Sequence, residues 1–244
     1  MKGAPQAARL SSLDDGVRIC GSTMKPKQRH VSESAGRLPG MSDNDVAAKD
    51  VLRRYLVAAR EALLWKLDGL SPYDMRRPLT PTGTNLLGLV KHVAYMGAGY
   101  LGDSFGRPWT EGYPWDEAGE EENLDMWAPA EESTERILSL YARVWEHADA
   151  TIDSLDLYAP GVVPWWPEER RDVTLQQILV HVIAEINRHA GHADIVRELI
   201  DESAGLKEGV SNIPEHDADW WQRYVAGIEE AAKIIQARES QPRG

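Results

Sequence analysis

The chain is predicted to be an all-α protein: an up-and-down four-helix bundle with one additional C-terminal helix, preceded by a disordered extension. Three observations predict this. Apolar residues recur at helical spacing in five separate stretches. Side chains suited to N-capping stand at the start of several of them. No run of alternating β-branched residues appears anywhere.

The first helix starts at Ser42, which forms the pattern of a capping box with Asp45. Its stripe is Val51, Leu52, Tyr55, Leu56, Leu63 and Leu67, ending near Gly69 and Pro72. A Pro/Thr/Gly stretch from Pro78 to Thr84 breaks the chain before the second helix. There Leu86, Leu89, Val90, Val93, Met96 and Tyr100 form the stripe. Residues 102–132 read as a loop, rich in Gly and Pro and with an acidic cluster near Glu120. The third helix runs from about Ser133 to Leu155 through Ile137, Tyr141, Val144, Ala148 and Ile152. A second irregular stretch holds Pro160 and Pro164-Trp165-Trp166-Pro167. The fourth helix opens at Thr174, with Gln177 completing a second capping-box pattern, and reaches Asp201. The last covers about Asp217 to Arg238, with Trp220, Trp221, Tyr224, Ile228 and Ile235 on one face.

Residues 1–40 differ in kind. They hold no Trp, Tyr or Phe, and seven Lys/Arg stand against three Asp/Glu. Such a segment cannot bury enough apolar surface to offset its ordering entropy, so it is expected to be disordered. It lacks the apolar core of a secretory signal, and Met41 reads as a natural start. Residues 41–244 are expected to form the bundle domain.

Composition narrows the function. The net charge is −12, which argues against nucleic acid as a partner, because phosphate contacts need a basic face. No apolar run approaches a membrane span, so a cytoplasmic protein is expected. Cys20 is the one cysteine, which rules out an internal disulfide and a Cys-rich zinc module. A metal site would have to use His and carboxylates.

The fourth helix carries such residues: His181, Glu185, His189 and His192. At roughly 100° per residue, with His181 at zero, Glu185 falls near ~40°, His189 near ~80° and His192 near ~20°. The apolar stripe lies at about 60° to 160° on that wheel. His189 therefore sits within the apolar face and Glu185 at its border. A buried carboxylate is costly unless paired or bound to a cation. Spaced four apart, Glu185 and His189 can converge on one ion. The plain alternative is that they hydrogen-bond each other, or Arg188. A third ligand must come from another helix, and His92 lies beside the Leu89/Val93/Met96 stripe. A lone histidine in such a place is more often structural. His147, between Glu146 and Asp149, is expected to face solvent; His30 and His216 lie in loops.

Two stretches add a resemblance. Leu79 to Ala94, containing Asn85, Leu86, Leu87, Gly88 and His92, and Val180 to Asp201, containing Glu185, His189, Ala190, Gly191, His192, Ala193 and Asp194, resemble the DinB-like (YfiT-like) superfamily. They are most similar to a mainly actinobacterial subfamily related to mycothiol-dependent maleylpyruvate isomerase. The resemblance covers about residues 45–202. It implies a four-helix bundle holding a divalent metal, Zn²⁺ or Ni²⁺, through His92, Glu185 and His189. It also implies a low-molecular-weight thiol such as mycothiol as cosubstrate, and a small-molecule substrate. Relatives often carry a glutamate where this chain has Gly97, in the small-residue run Met96-Gly97-Ala98-Gly99. His192 and His181 are candidates to replace or supplement a ligand.

The function expected on this basis is a metal- and thiol-dependent S-transferase or isomerase. The alternatives are a non-catalytic metal- or ligand-binding bundle and a metal-dependent hydrolase. A homodimer is compatible with the sequence. Gly97 and Gly99 are expected to leave room for the cosubstrate or to let helices pack closely. Trp165 and Trp166 are expected to wall the pocket mouth or to fill core.

Overall fold

The computed structural model describes residues 42–116, 122–211 and 213–240. The expectation of disorder over 1–40 and the acidic cluster near Glu120 fall outside those residues. Among these residues six α-helices form: α1 (Asp43–Trp65), α2 (Pro72–Arg76), α3 (Leu86–Leu101), α4 (Thr134–Ser154), α5 (Leu175–Asp201) and α6 (Ala218–Glu239). A 3-10 turn covers Asp103–Phe105, and two three-residue strands, β1 (Pro160–Val162) and β2 (Asp172–Thr174), pair antiparallel. Among the described residues, no helix is long and apolar enough to cross a membrane.

The caps explain why the helices start where they do. Ser42 accepts from the Asp45 amide while Asp45 reaches back to Ser42, closing the expected box. Ser133 and Thr174 cap α4 and α5 through the amides of Arg136 and Gln177. At α3 the cap is Asn85, whose carboxamide accepts from Gly88 N at 2.7 Å. α2 and the strands escape the period argument because each is shorter than two full periods of its own pattern.

The all-α bundle is built from α1, α3, α4 and α5, and its core runs through Leu56, Leu63, Val90, Val144, Ile178 and Val182. Side-chain pairs reveal chain direction. His92 meets His189 and Tyr100 meets His181, so α3 and α5 run antiparallel. Arg53 pairs with Asp153 and Arg60 with Asp149, so α1 and α4 are antiparallel. Lys91 reaches Glu132 near the start of α4, and Gly97 abuts Trp145 further along, so α3 and α4 run parallel. The long connection after α3 is therefore a crossover that returns the chain along the bundle.

Three expectations are corrected. With α3 and α4 parallel, the four bundle helices run up-down-down-up and not in the simple up-and-down order expected. Tyr55, assigned to the core stripe of α1, is 66% exposed, because Leu52, Leu56, Ala59 and Leu63 already fill the face turned to α5. His147 does not face solvent: it is half-buried and its Nε2 lies 2.8 Å from the Arg107 carbonyl.

At the far end of α1 and α5 an ionic clamp replaces apolar packing. Lys66, 1% exposed, pairs with Asp194 at 2.8 Å and donates to the Gly205 carbonyl. Burial pushes the Lys66 ammonium down from its ordinary range, and Asp194 opposes that shift. Arg197 donates to the Lys66 and Asp68 carbonyls at 2.9 and 2.8 Å and forks onto Asp201.

Candidate functional site

The α3–α5 seam brings together the residues singled out in the sequence. The rings of His92 and His189 stand edge to face with centroids 4.8 Å apart, and His192 lies 5.5 Å from His189. His189 is 8% exposed, as its place within the apolar face of α5 required. Burial first, then the neighbouring His92 and His192, pushes its imidazole down to about 4. The ring is thus neutral at pH 7, the state in which histidine ligates metals. Its Nδ1 is buried with no hydrogen-bond partner.

Glu185 stands 3.8 Å from His189 Nε2 and 3.8 Å from Arg188 Nη1. Both separations exceed hydrogen-bond range. The plain alternative, a Glu185–His189 or Glu185–Arg188 hydrogen bond, is not what the side chains form. His181 lies two turns along α5 from His189, against Tyr100, away from this group.

Asp125 was not foreseen. Its Oδ2 lies 2.7 Å from His92 Nδ1. Burial alone would push the Asp125 carboxyl up, but the hydrogen bond and charge of His92 hold it below its ordinary value. With Nδ1 engaged by a carboxylate, the other ring nitrogen of His92 is left as the ligating one, the arrangement common behind metal-bound histidines.

The crossover is fastened to α3 at several points. Lys91 donates to the Leu124 and Trp127 carbonyls and pairs with Glu132 at 2.7 Å. Asn85 donates to the Met126 carbonyl at 3.1 Å. Gly88 is required here: a Cβ on it would stand 1.8 Å from Met126 O. No residue pattern in the acidic loop marks Asp125, since its role depends on the bare surface of Gly88 one turn before His92.

The glycines do not open a cavity. Trp145 packs against Gly97 and Trp165 against Gly99, each within about 3.0 Å of where a Cβ would stand. Close packing is the use made of both. Trp165 is nonetheless 51% exposed, so it is not core.

Among the described residues, no three His, Cys, Asp or Glu side chains are close enough to hold a metal ion in this conformation. The donor set nevertheless fits a divalent cation in kind. It offers a neutral buried imidazole with an orphaned nitrogen, a second imidazole oriented by a carboxylate, and a carboxylate without a hydrogen-bond partner at its side.

Residues 51–202, which include α3, α5 and the crossover, match the family model described as Mycothiol-S-transferase. The chain belongs to that family. The match covers well over half the chain and establishes the DinB-like relationship and its link to mycothiol-dependent enzymes. A search of curated proteins finds no match. The family supports a thiol-dependent, transferase-like function with a small-molecule thiol as substrate.

Proposed function

We propose that the protein is a metal-dependent thiol S-transferase in which His92, Glu185 and His189 hold a divalent ion, Zn²⁺ or Ni²⁺, and mycothiol is the cosubstrate. The observation that carries this reading is the Glu185–His189 pair. Four residues apart on α5 and facing His92, the two stand too far apart to satisfy each other, and the buried His189 Nδ1 has no partner. A cation between Glu185 and His189 Nε2 would give both groups the partner that neither provides the other at 3.8 Å.

The residues have separable tasks. His92 and His189 supply nitrogen donors, suited to borderline metals. Glu185 supplies negative charge, and Asp125 orients His92 and raises its basicity. The Leu89, Val93 and Ile186 side chains beside them exclude water from the inner side. A bound cation would lower the pKa of a thiol so that sulfur reacts as thiolate. The reading also places the protein in the cytoplasm, where thiols are kept reduced.

Purified protein should bind close to one Zn²⁺ or Ni²⁺ per chain. His189→Ala should abolish that binding and His216→Ala, in the exposed segment before α6, should not. With Co²⁺ in place, mycothiol should add a sulfur-to-metal charge-transfer band. Equal metal content in both variants would remove the metal site. A Co²⁺ spectrum indifferent to mycothiol, glutathione and bacillithiol at millimolar concentration would remove the transferase reading and favour a hydrolytic or ligand-holding role.

A further inference from the structure

α6 lies beyond the residues that match the family model, and its apolar side chains follow their own rule. Ala218, Trp221, Val225, Ile228, Ala232 and Ile235 are spaced alternately three and four apart, the a/d repeat by which one helix packs along another. Tyr224 and Ala231 lie beside that seam and widen it. Among the described residues nothing within the chain covers it: α6 buries no side chain, and none of its residues packs against the bundle core. Val225, Ile228 and Ile235 are each more than half exposed.

A helix in water is held mainly by the packing of its apolar face. Gly227, in the interior of α6 with open space where a Cβ would stand, weakens this one further. The ring contacts of α6 are local. His216 stacks on Trp220 and Trp220 on Tyr224, with centroids 3.8 and 5.0 Å apart, and Trp221 stands edge-on to both Trp220 and Tyr224. They order the first turns and leave the aliphatic side chains from Val225 to Ile235 uncovered.

The two halves of the helix complement each other. The first carries the large rings of Trp221 and Tyr224, and the second carries Ala231 and Ala232 at the equivalent points of the repeat. Laid antiparallel on a second α6, the seam sets Trp221 opposite Ala232 of the other copy, Val225 opposite Ile228 and Ala218 opposite Ile235. Tyr224 then falls beside Ala231. Charge follows the same symmetry, because this register brings Asp217 at the N-terminus opposite Arg238 at the C-terminus, twice. Lys233 is matched to Glu229 on its own helix at 3.3 Å, whereas Arg238 has no ion pair among the described residues. A parallel pair would instead set Trp221 against Trp221, Asp217 against Asp217 and Arg238 against Arg238. Charge also disfavours a lipid surface: residues 217–239 carry five carboxylates against three basic side chains, and helices that lie on membranes are rich in Lys and Arg.

We propose that α6 is a self-association helix, through which two copies of this chain pair antiparallel about a two-fold axis between Ala226 and Gly227. The pairing is independent of the metal and thiol reading above.

Sedimentation equilibrium of the full chain at tens of micromolar, with EDTA present, should give twice the 27.2 kDa chain mass. Ile228→Asp, at the middle of the seam, should return the single-chain mass. It should leave the bundle's unfolding transition in place, because α6 and the bundle core share no packing. Arg238→Glu should raise the dissociation constant severalfold at low salt and less at high salt. Direction is read by disulfide formation in a Cys20→Ser background. Ala218→Cys chains mixed with Ile235→Cys chains should give a cross-linked heterodimer, while neither should cross-link alone. Like positions lie seventeen residues apart along the antiparallel seam, about 26 Å, far beyond the reach of a disulfide. A monomeric wild type, or a dimer unmoved by Ile228→Asp, overturns the proposal. Cross-linking of each variant alone without the mixed product marks a parallel pair and overturns it too. A monomeric chain that sediments with phosphatidylcholine–phosphatidylglycerol vesicles overturns it in favour of a membrane surface.

Discussion

α5 and α6 look alike in sequence and differ in the structure. Both exceed twenty residues, both begin at a side-chain cap, and both carry apolar residues on one face. α5 buries ten residues, His189 among them, while α6 buries none and leaves Tyr224, Val225, Ile228 and Ile235 exposed. Amphipathic spacing tells that a helix forms and which way it faces. It does not tell whether another element covers that face. Three elements cover α5: α1, α3 and the β2 strand leading into it. That coverage buries His189 and lowers its pKa, and α6 offers no comparable environment.

That contrast yields graded expectations. Ile178→Ala, in the buried face of α5, should cost about 2–5 kcal/mol in denaturant unfolding, whereas Ile228→Ala in α6 should stay within about 0.5 kcal/mol. Equal costs would mean that α6 packs on the bundle in solution and that the two helices are alike after all. A smaller effect, confined to the site, is expected from the crossover. Asp125→Asn should lower Zn²⁺ affinity about 10- to 100-fold by calorimetry while leaving the fold intact. Gly88→Ala should reproduce that loss by displacing the Met126 backbone. Wild-type affinity in Asp125→Asn would show that α5 and α3 make the site without the crossover. The smallest effect belongs to residues 1–40: their removal should leave the unfolding transition within about 0.5 kcal/mol. A larger shift would show that this aromatic-free segment packs on the domain.

The sequence was informative where local chemistry decides the outcome. Ser42, Ser133 and Thr174 start their helices because a short oxygen-bearing side chain caps the first turn, and that depends on neighbours three residues away. The convergence of His92 on His189 was legible for a related reason: each lies at a fixed angle to an apolar stripe. What depends on distant partners was not legible. Tyr55 and Leu56 both fall on the apolar stripe in the sequence, and the packing of α1 separates them. His147 looked solvated beside two acids until the Arg107 carbonyl folded onto it from the crossover. Asp125 is one carboxylate in an acidic stretch, and its pairing with His92 follows from how Lys91, Asn85 and Gly88 hold the chain. Gly97 and Gly99 fit open space and close packing equally in the sequence, because a glycine reports room for a neighbour without naming it; the neighbours are Trp145 and Trp165.

The clamp at the far end of α1 and α5 bears on how mutations would present. A helix held only by apolar contacts can turn about its axis at little cost, whereas the bonds from Lys66 to Asp194 and from Arg197 to two carbonyls are directional. Side-chain tips on α5 lie about 5–6 Å from its axis, so a rotation of about 20° would carry His189 roughly 2 Å sideways, about the length of a metal–nitrogen bond. The clamp fixes the angular setting of α5 without touching the histidines. Lesions at Lys66 or Arg197 would therefore mimic mutations of the proposed ligands: a protein that still folds, with His189 aimed at the wrong point.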